Sequence, residues 1–258
     1  MTKKGWIIFA AICVALIGGL IYLNSTNKID VSGVDVNAIS EGSDSNGSIG
    51  DHTFGNMKSD VILIEYGDYQ CPGCGDIYPT IKELTEKYKD QMGFVFRNFP
   101  LTSIHPNALT AATTAEAAGL QGKFWEMHDL LYKNQNSWNQ LSGADRTNFF
   151  VSLAGQIGID GKKLEQLLNG EIDDAARTRK KIDYDTAIGR KAGVTGTPSL
   201  FLSGVNIGEK YYLNDKLVEK GTEGASPVWS DATALDTLIL RPAFEKAGIE
   251  LPKDTDKK

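Results

Sequence analysis

The sequence predicts an α/β domain interrupted by a block of helices and set behind one membrane-spanning helix, and three observations predict it. A β-branched run, "DVILIEY" at 60–66, leads into a helical pattern and then into a second strand, "GFVFRNFP" at 93–100. Helical patterns then fill about 103–192, before "TPSLFLSG" at 197–204 returns to strand and 232–248 to helix. Ahead of everything lies an uncharged apolar stretch, "GWIIFAAICVALIGGLIYL", from Gly5 to Leu23. Strand, helix, strand, helical block, strand and helix is the order of a layered α/β structure with a helical insertion.

Composition allows one such domain. With 258 residues, 41% hydrophobic and 23% charged, the chain suits one buried domain of roughly 200 residues plus an appendage. A net charge of −6 argues against a nucleic-acid partner, whose footprint is basic. The division expected is 1–23 as cytoplasmic stub and anchor, 24–50 as flexible linker, 51–250 as the domain with its helical insertion at about 103–192, and 251–258 as a frayed tail.

The Gly5–Leu23 stretch is long enough to cross a bilayer as a helix. It exceeds the usual 7–15 residues of a signal-peptide core, and "IYLNST" lacks an A-x-A cleavage site, so an anchor is expected over a cleaved signal. Lys3 and Lys4 before it bias the N-terminus to the cytoplasm and place the domain outside. Residues 24–50, rich in Ser, Asn, Gly and Asp, read as a tether. The 60–66 run has the length and flanks of a buried strand. In the helix that follows, Ile77, Ile81, Leu84 and Tyr88 share one face, and Pro79 is expected to kink it. Pro100 stops the second strand. The insertion holds an Ala-rich helix at 108–119, the segment "GKFWEMHDLLYKNQ", and helices after Ser142, Asp160 and Glu171; Ser142 with Asp145 resembles a capping box. Pro242 threatens to break the last helix.

Chemistry concentrates in "DYQCPGCGDIYP", 68–79, where Cys71 and Cys74 stand at the start of a helix. Zinc needs four ligands, and the three histidines, His52, His105 and His128, form no second ligand pair. A structural disulfide gains little from closing so short a loop. A redox pair is favoured. At a helix N-terminus the free N–H groups and the helix dipole stabilise a thiolate, which makes Cys71 the attacker and Cys74 the resolving thiol. Pro72 suits the first helical turn, and Gly73 leaves the sulfur unshielded. No metal and no cofactor are expected.

"IEYGDYQCPGC" together with "GVTGTPSLFLSG", separated by "NFPLTSIHPNALTAATTAEAAGLQGKFWEMHDLLY", resembles the DsbA-like branch of the thioredoxin superfamily, in particular the membrane-anchored extracytoplasmic thiol–disulfide oxidoreductases of bacteria without a conventional periplasm. The resemblance implies a thioredoxin-like fold and a redox-active disulfide at Cys71 and Cys74. It makes Pro198 the family's cis-proline, with Thr197 before it, and has them line the substrate site with Pro72 and Gly73. It makes Glu65 the acidic residue beneath the disulfide, where burial would raise its pKa and let it relay the proton of Cys74. The function implied is the introduction of disulfides into exported cysteine-containing proteins, with a membrane reoxidase as redox partner. A reductase or isomerase, or a non-catalytic binding module, is the alternative.

The family pattern breaks at two places. Pro-Gly between the cysteines lacks the histidine of strongly oxidising members, and 205–231 is too long for a hairpin connection and is expected to shape a partner surface. His105 is expected to bond locally at a helix start, and His128, with Phe124, Trp125 and Leu131, to pack in the core.

Overall fold

The computed structural model describes residues 5–6, 9, 12–18 and 29–252. Among them no helix is long and apolar enough to cross a membrane. The expected Gly5–Leu23 span lies only in part within the described residues, and the tail beyond Pro252 lies outside them.

A five-stranded sheet of β1 (His52–Gly55), β2 (Ile62–Gly67), β3 (Gly93–Asn98), β4 (Ser199–Leu202) and β5 (Val205–Asn206) runs in the order β1-β3-β2-β4-β5. Only β2 and β3 are parallel, with Ile62 opposite Gly93 and Glu65 opposite Phe96. Strand β2 is therefore central. Its alternate residues face opposite ways: Leu63 joins one core with Phe94 and Phe96, while Ile64 and Tyr66 join a second with Val95 and Phe99. The parallel pair needs a crossover, and α1 (Pro72–Lys87) supplies it. Ile77, Ile81, Leu84 and Tyr88 are all buried as the helical period requires, and α1 runs through Pro79 without interruption.

The insertion comprises α2 (Ala108–Gly119), α3 (Phe124–Lys133), the single turn α4 (Gln135–Trp138), α5 (Gly143–Gln156), α6 (Gly161–Leu168) and α7 (Asp174–Lys191). Ser142 caps α5 in position only, since its side chain makes no capping bond and the expected box with Asp145 does not form. Asp160 does cap α6, accepting from the Lys163 N–H at 3.0 Å.

Four elements differ from expectation. Residues 29–50, read as a flexible linker, are folded onto the domain. Val31, Val34 and Val36 pack against the second core, and Lys191 Nζ donates to the carbonyls of Val31, Ser32 and Val34 at 2.8, 2.6 and 2.7 Å. The buried Arg97 guanidinium reaches the Val36 and Ala38 carbonyls, each at 2.6 Å. At the arm's end Asp51 lies between Arg97 at 2.7 Å and Lys181 at 3.1 Å, and Lys181 also bonds Asp185 at 2.6 Å, all four side chains fully enclosed. Strand β1 is the second surprise. Third, 205–231 gives β5 to the main sheet and then builds a small sheet of its own at 211–227, order β7-β6-β8, from β6 (Tyr211–Leu213), β7 (Lys216–Val218) and β8 (Ser226–Pro227). Fourth, the break expected at Pro242 takes an unexpected form, the closing helix being divided into α8 (Ala232–Leu235), a π turn (Asp236–Leu240) and α9 (Arg241–Lys246). Pro242 cannot donate to the preceding turn and its ring would strike it; the wider π turn absorbs the conflict while Leu235, Leu240 and Phe244 stay buried.

Candidate active site

Strand β2 ends at Gly67 and delivers the chain to a tight corner before α1. The backbone makes that corner: the Asp68 carboxylate accepts from the Gln70 N–H at 2.8 Å, closing an Asx turn, and the Asp68 carbonyl accepts from the Cys71 N–H at 3.0 Å. Cys71 is thereby left as the N-cap of α1 in extended conformation, with Pro72 at the first helical position where no N–H is missed. Both cysteines are unbonded thiols and both are buried, Cys71 at 8% exposure and Cys74 at 0%. Helix geometry favours charge on the first sulfur, at the N-cap, while complete burial disfavours it on the second.

The two thiols differ accordingly. Cys71 has its pKa lowered from 9.0 to about 5, first by the hydrogen bond from the Cys74 thiol; burial opposes this, and the neighbouring Thr197 and the Cys74 backbone N–H assist. Burial drives the Cys74 pKa well above its ordinary value, and the neighbouring Cys71 adds to the rise. The arrangement favours a thiolate at Cys71 over a protonated Cys74.

Across from α1 the chain returns at β4. The Thr197–Pro198 peptide bond is cis, and the Cys71 thiol donates to the Thr197 carbonyl at 3.3 Å. A Cβ on Gly73 would lie 3.3 Å from Pro198 Cδ and 3.9 Å from Cys71 Sγ, so the glycine keeps the space beside the sulfur clear. Cys71, Cys74, Pro72, Gly73, Thr197 and Pro198 are thus gathered at one end of the sheet.

Glu65 lies beneath them, on the α1 side of the central strand and 2% exposed. Burial is the first cause, and the Cys71 charge the second, that raise its pKa from 4.5 to about 8. Its charge bears in turn on Cys74.

Sequence reasoning missed three braces. Besides the Asx turn, the fully enclosed Asp68 carboxylate accepts from the Leu101 N–H at 2.9 Å and lies 2.7 Å from His105 Nδ1, so His105 bonds across to the dithiol corner instead of locally. The Asp68 N–H lies 3.5 Å from Cys74 Sγ. Gln135, buried at the start of α4, donates to the carbonyls of Tyr69 at 2.7 Å and Cys71 at 2.9 Å. Gln70 ties the corner to the insertion, donating to the Asn139 carbonyl at 2.7 Å and accepting from the Asn107 N–H at 2.5 Å. "GDYQ" before Cys71 carried the Asx-turn signal; nothing in the sequence pointed to Gln135. His128 is buried among the rings of Tyr69, Phe96, Trp125 and Tyr132.

Known proteins match at three levels. The sequence model of a family described as Thioredoxin matches residues 47–216. A protein of Salinispora arenicola (strain CNS-205) named Na(+)/H(+) antiporter NhaA 1 is 38% identical over 154 residues, which are 60% of this chain but 22% of that protein. The chain thus spans about a fifth of the length of that relative, and the transporter name belongs to the longer protein. Among solved structures, BdbD from Bacillus subtilis in its oxidised form is 18% identical with a TM-score of 0.54, covering 81% of this chain and 97% of its own. Wolbachia pipientis alpha-DsbA1 is 20% identical with a TM-score of 0.57, covering 76% and 92%. These two share the fold of this chain. With most of the domain matched by its sequence model, the chain belongs to the thioredoxin family.

Proposed function

We propose that this oxidoreductase passes a Cys71–Cys74 disulfide to exported cysteine-containing proteins, working from a membrane anchor at Gly5–Leu23 with its catalytic domain on the extracytoplasmic side. The observation that carries the reading is the divided dithiol: a Cys71 thiol pulled down to about 5 above a Cys74 thiol pushed well up. A low thiolate pKa stabilises the reduced form and so makes the disulfide a better oxidant. A substrate thiolate attacks Cys71 Sγ, the S–S bond breaks, and Cys74 leaves as the thiolate that Glu65 protonates. A second substrate thiol then attacks the mixed disulfide, releasing oxidised substrate and a Cys71 thiolate. A membrane reoxidase takes the electron pair. Thr197, Gly73 and Pro198 lie beside Cys71, and in this reading an extended substrate chain runs along them and Pro72.

A reductase or isomerase is the second reading, favoured by the absence of a histidine between the cysteines. Redox titration of the purified protein against glutathione decides between them. A potential well above the thioredoxin value of about −270 mV supports the oxidase, and one at or below it the reductase. For the anchor, the protein should fractionate with membranes and lose its domain to protease added outside intact cells; a trimmed soluble product refutes it.

A further inference from the structure

Glu65 must exchange its proton with solvent, yet it is enclosed. Against its carboxyl lies a cavity of about 80 Å³ between β2, α1 and α3, walled by Phe94 and Trp125 and lined at its polar side by Glu65, His128 and Asp129. The rim is formed by Lys82 and Glu86, whose side chains are 39% and 49% exposed. One water needs roughly 10–15 Å³ and two or more polar partners, so this space admits several.

The second observation is His128. Its Nδ1 lies 3.4 Å from Asp129 Oδ1, and its Nε2 is enclosed with no protein partner among the described residues. An imidazole whose Nδ1–H faces a carboxylate carries its lone pair on Nε2, and here that nitrogen belongs to a cavity-lining ring. A buried ring nitrogen left unpaired beside a buried carboxyl is costly unless water joins them.

We propose that the cavity is a hydrated proton passage between Glu65 and solvent, with His128 Nε2 as the station along it. The inference rests on the exchange reaction proposed above and names how its proton is supplied. When the substrate thiolate attacks Cys71 Sγ, the electron pair of the broken S–S bond leaves on Cys74, which takes the Glu65 proton. Glu65 takes one from cavity water, the water from His128, and His128 from bulk solvent at the rim. One proton has then moved from solvent to Cys74, and reoxidation runs the same chain outward. Asp129, held at 2.7 Å from Lys82 Nζ, stands beside the imidazolium formed in passing. The groups facing His128 are Tyr69 from the turn after β2, Tyr78 and Lys82 from α1, His52 from β1, and Asp129 and Tyr132 from its own helix. Burial, the largest effect on the ring, holds it below the ordinary histidine value and so neutral and receptive at pH 7.

The test is single-turnover reduction of the full-length oxidised protein by a dithiol peptide, from pH 6 to 9, for the native chain, His128→Phe and His128→Ala. Phe keeps an aromatic ring in the cluster and removes the proton station. Full loss of a general acid–base group costs about 10²-fold or more; since water alone still conducts, His128→Phe should slow the step about tenfold, most above pH 8 where Glu65 starts ionised. Cys71 should titrate unchanged in both variants. Imidazole in the buffer should restore His128→Ala, whereas pyrazole, the same size but a far weaker base, should not. A native rate and pH profile in His128→Phe overturns the passage, and so does equal rescue by both azoles, which marks a packing role. Should either variant fail to fold, His128→Gln carries the same rate test. A native protein inert toward the peptide refutes the exchange reaction itself.

Discussion

The reduced and oxidised forms should trade places in stability between pH 5 and pH 8. The perturbation is oxidation of Cys71 and Cys74, and its size follows from the first sulfur. A folded-state pKa of about 5 against an ordinary 9.0 means that at pH 7 the folded thiolate is charged while the unfolded thiol is not. Only the interval from 5 to 7 counts there, about 2.7 kcal/mol at 1.36 kcal/mol per pH unit. The sulfur lies at the surface end of the site, so solvent screening trims this to about 2 kcal/mol. Cys74, raised well above 9.0, is a thiol in both states at pH 7 and contributes nothing. Against the thiolate stands the crosslink, whose short loop adds about 2 kcal/mol to the oxidised form in the chain-entropy account. The two nearly cancel at pH 7.

The sign with pH is fixed by the depressed pKa. Its stabilisation is complete above the unfolded value near 9 and is lost as pH falls toward 5. At pH 5 the thiolate contributes about 0.4 kcal/mol and the oxidised form leads by about 1.5; at pH 8 it contributes about 3–4 kcal/mol and the reduced form leads by about 1–2. For a domain of this size 1 kcal/mol moves Tm by about 2–4 °C, so reduced Tm minus oxidised Tm should climb by about 6–12 °C over that range. Calorimetric melts of the purified protein with and without excess dithiol measure the difference directly. Repeating them in Glu65→Gln removes that group's own titration near pH 8. A difference that is flat with pH, or that falls as pH rises, refutes a thiolate at Cys71.

Three further outcomes can be measured. Glu65 has a raised folded pKa, about 8 against 4.5, so the native chain loses stability as pH rises through that interval, about 3 kcal/mol by pH 7; Glu65→Gln should match native stability at pH 4, exceed it at pH 7 in denaturant melts, and turn over more slowly. Asp51→Asn leaves Arg97 and Lys181 enclosed without their shared counter-charge, which should cost about 3–5 kcal/mol in urea unfolding and open residues 29–50 to protease. Gln135→Leu strips the donor from the Tyr69 and Cys71 carbonyls, and a loss of about 1–3 kcal/mol with faster amide exchange at the start of α1 should follow; unchanged exchange there would show the brace to be idle.

What could be read from the sequence is what one segment decides for itself. The β2 run reads as buried because Val61, Ile62, Leu63 and Ile64 form a continuous apolar and β-branched run, and α1 because Ile77, Ile81, Leu84 and Tyr88 recur at helical spacing. The dithiol was legible for the same reason, since two cysteines and a proline at a helix start already place a cysteine at the N-cap. The arm at 29–50 was not, because it is held through its backbone carbonyls by Lys191 and Arg97, and carbonyls look alike in every residue. Nor was the cluster of Asp51, Lys181 and Asp185, whose residue types read as solvated surface until the fold encloses them. Pro242 announced a break but not the π turn that accommodates it.

The same division runs through the chemistry. The low pKa of Cys71 arises within a few residues of the sulfur and from Thr197, so a transplanted "YQCPGC" loop opposite a Thr-Pro should carry much of it. The proton supply proposed for Cys74 has no such local source. Glu65 on the central strand, His128 and Asp129 on α3, and Lys82 on α1 meet only because β2 pairs with β3 and the two helices close over that face of the sheet. Grafting the loop onto another thioredoxin-fold scaffold should therefore reproduce the Cys71 titration near pH 5 while leaving the exchange rate to follow the scaffold's own buried acid and its route to water. A graft that also carried this protein's pH–rate profile would place the proton supply in the loop and remove the need for the groups behind it.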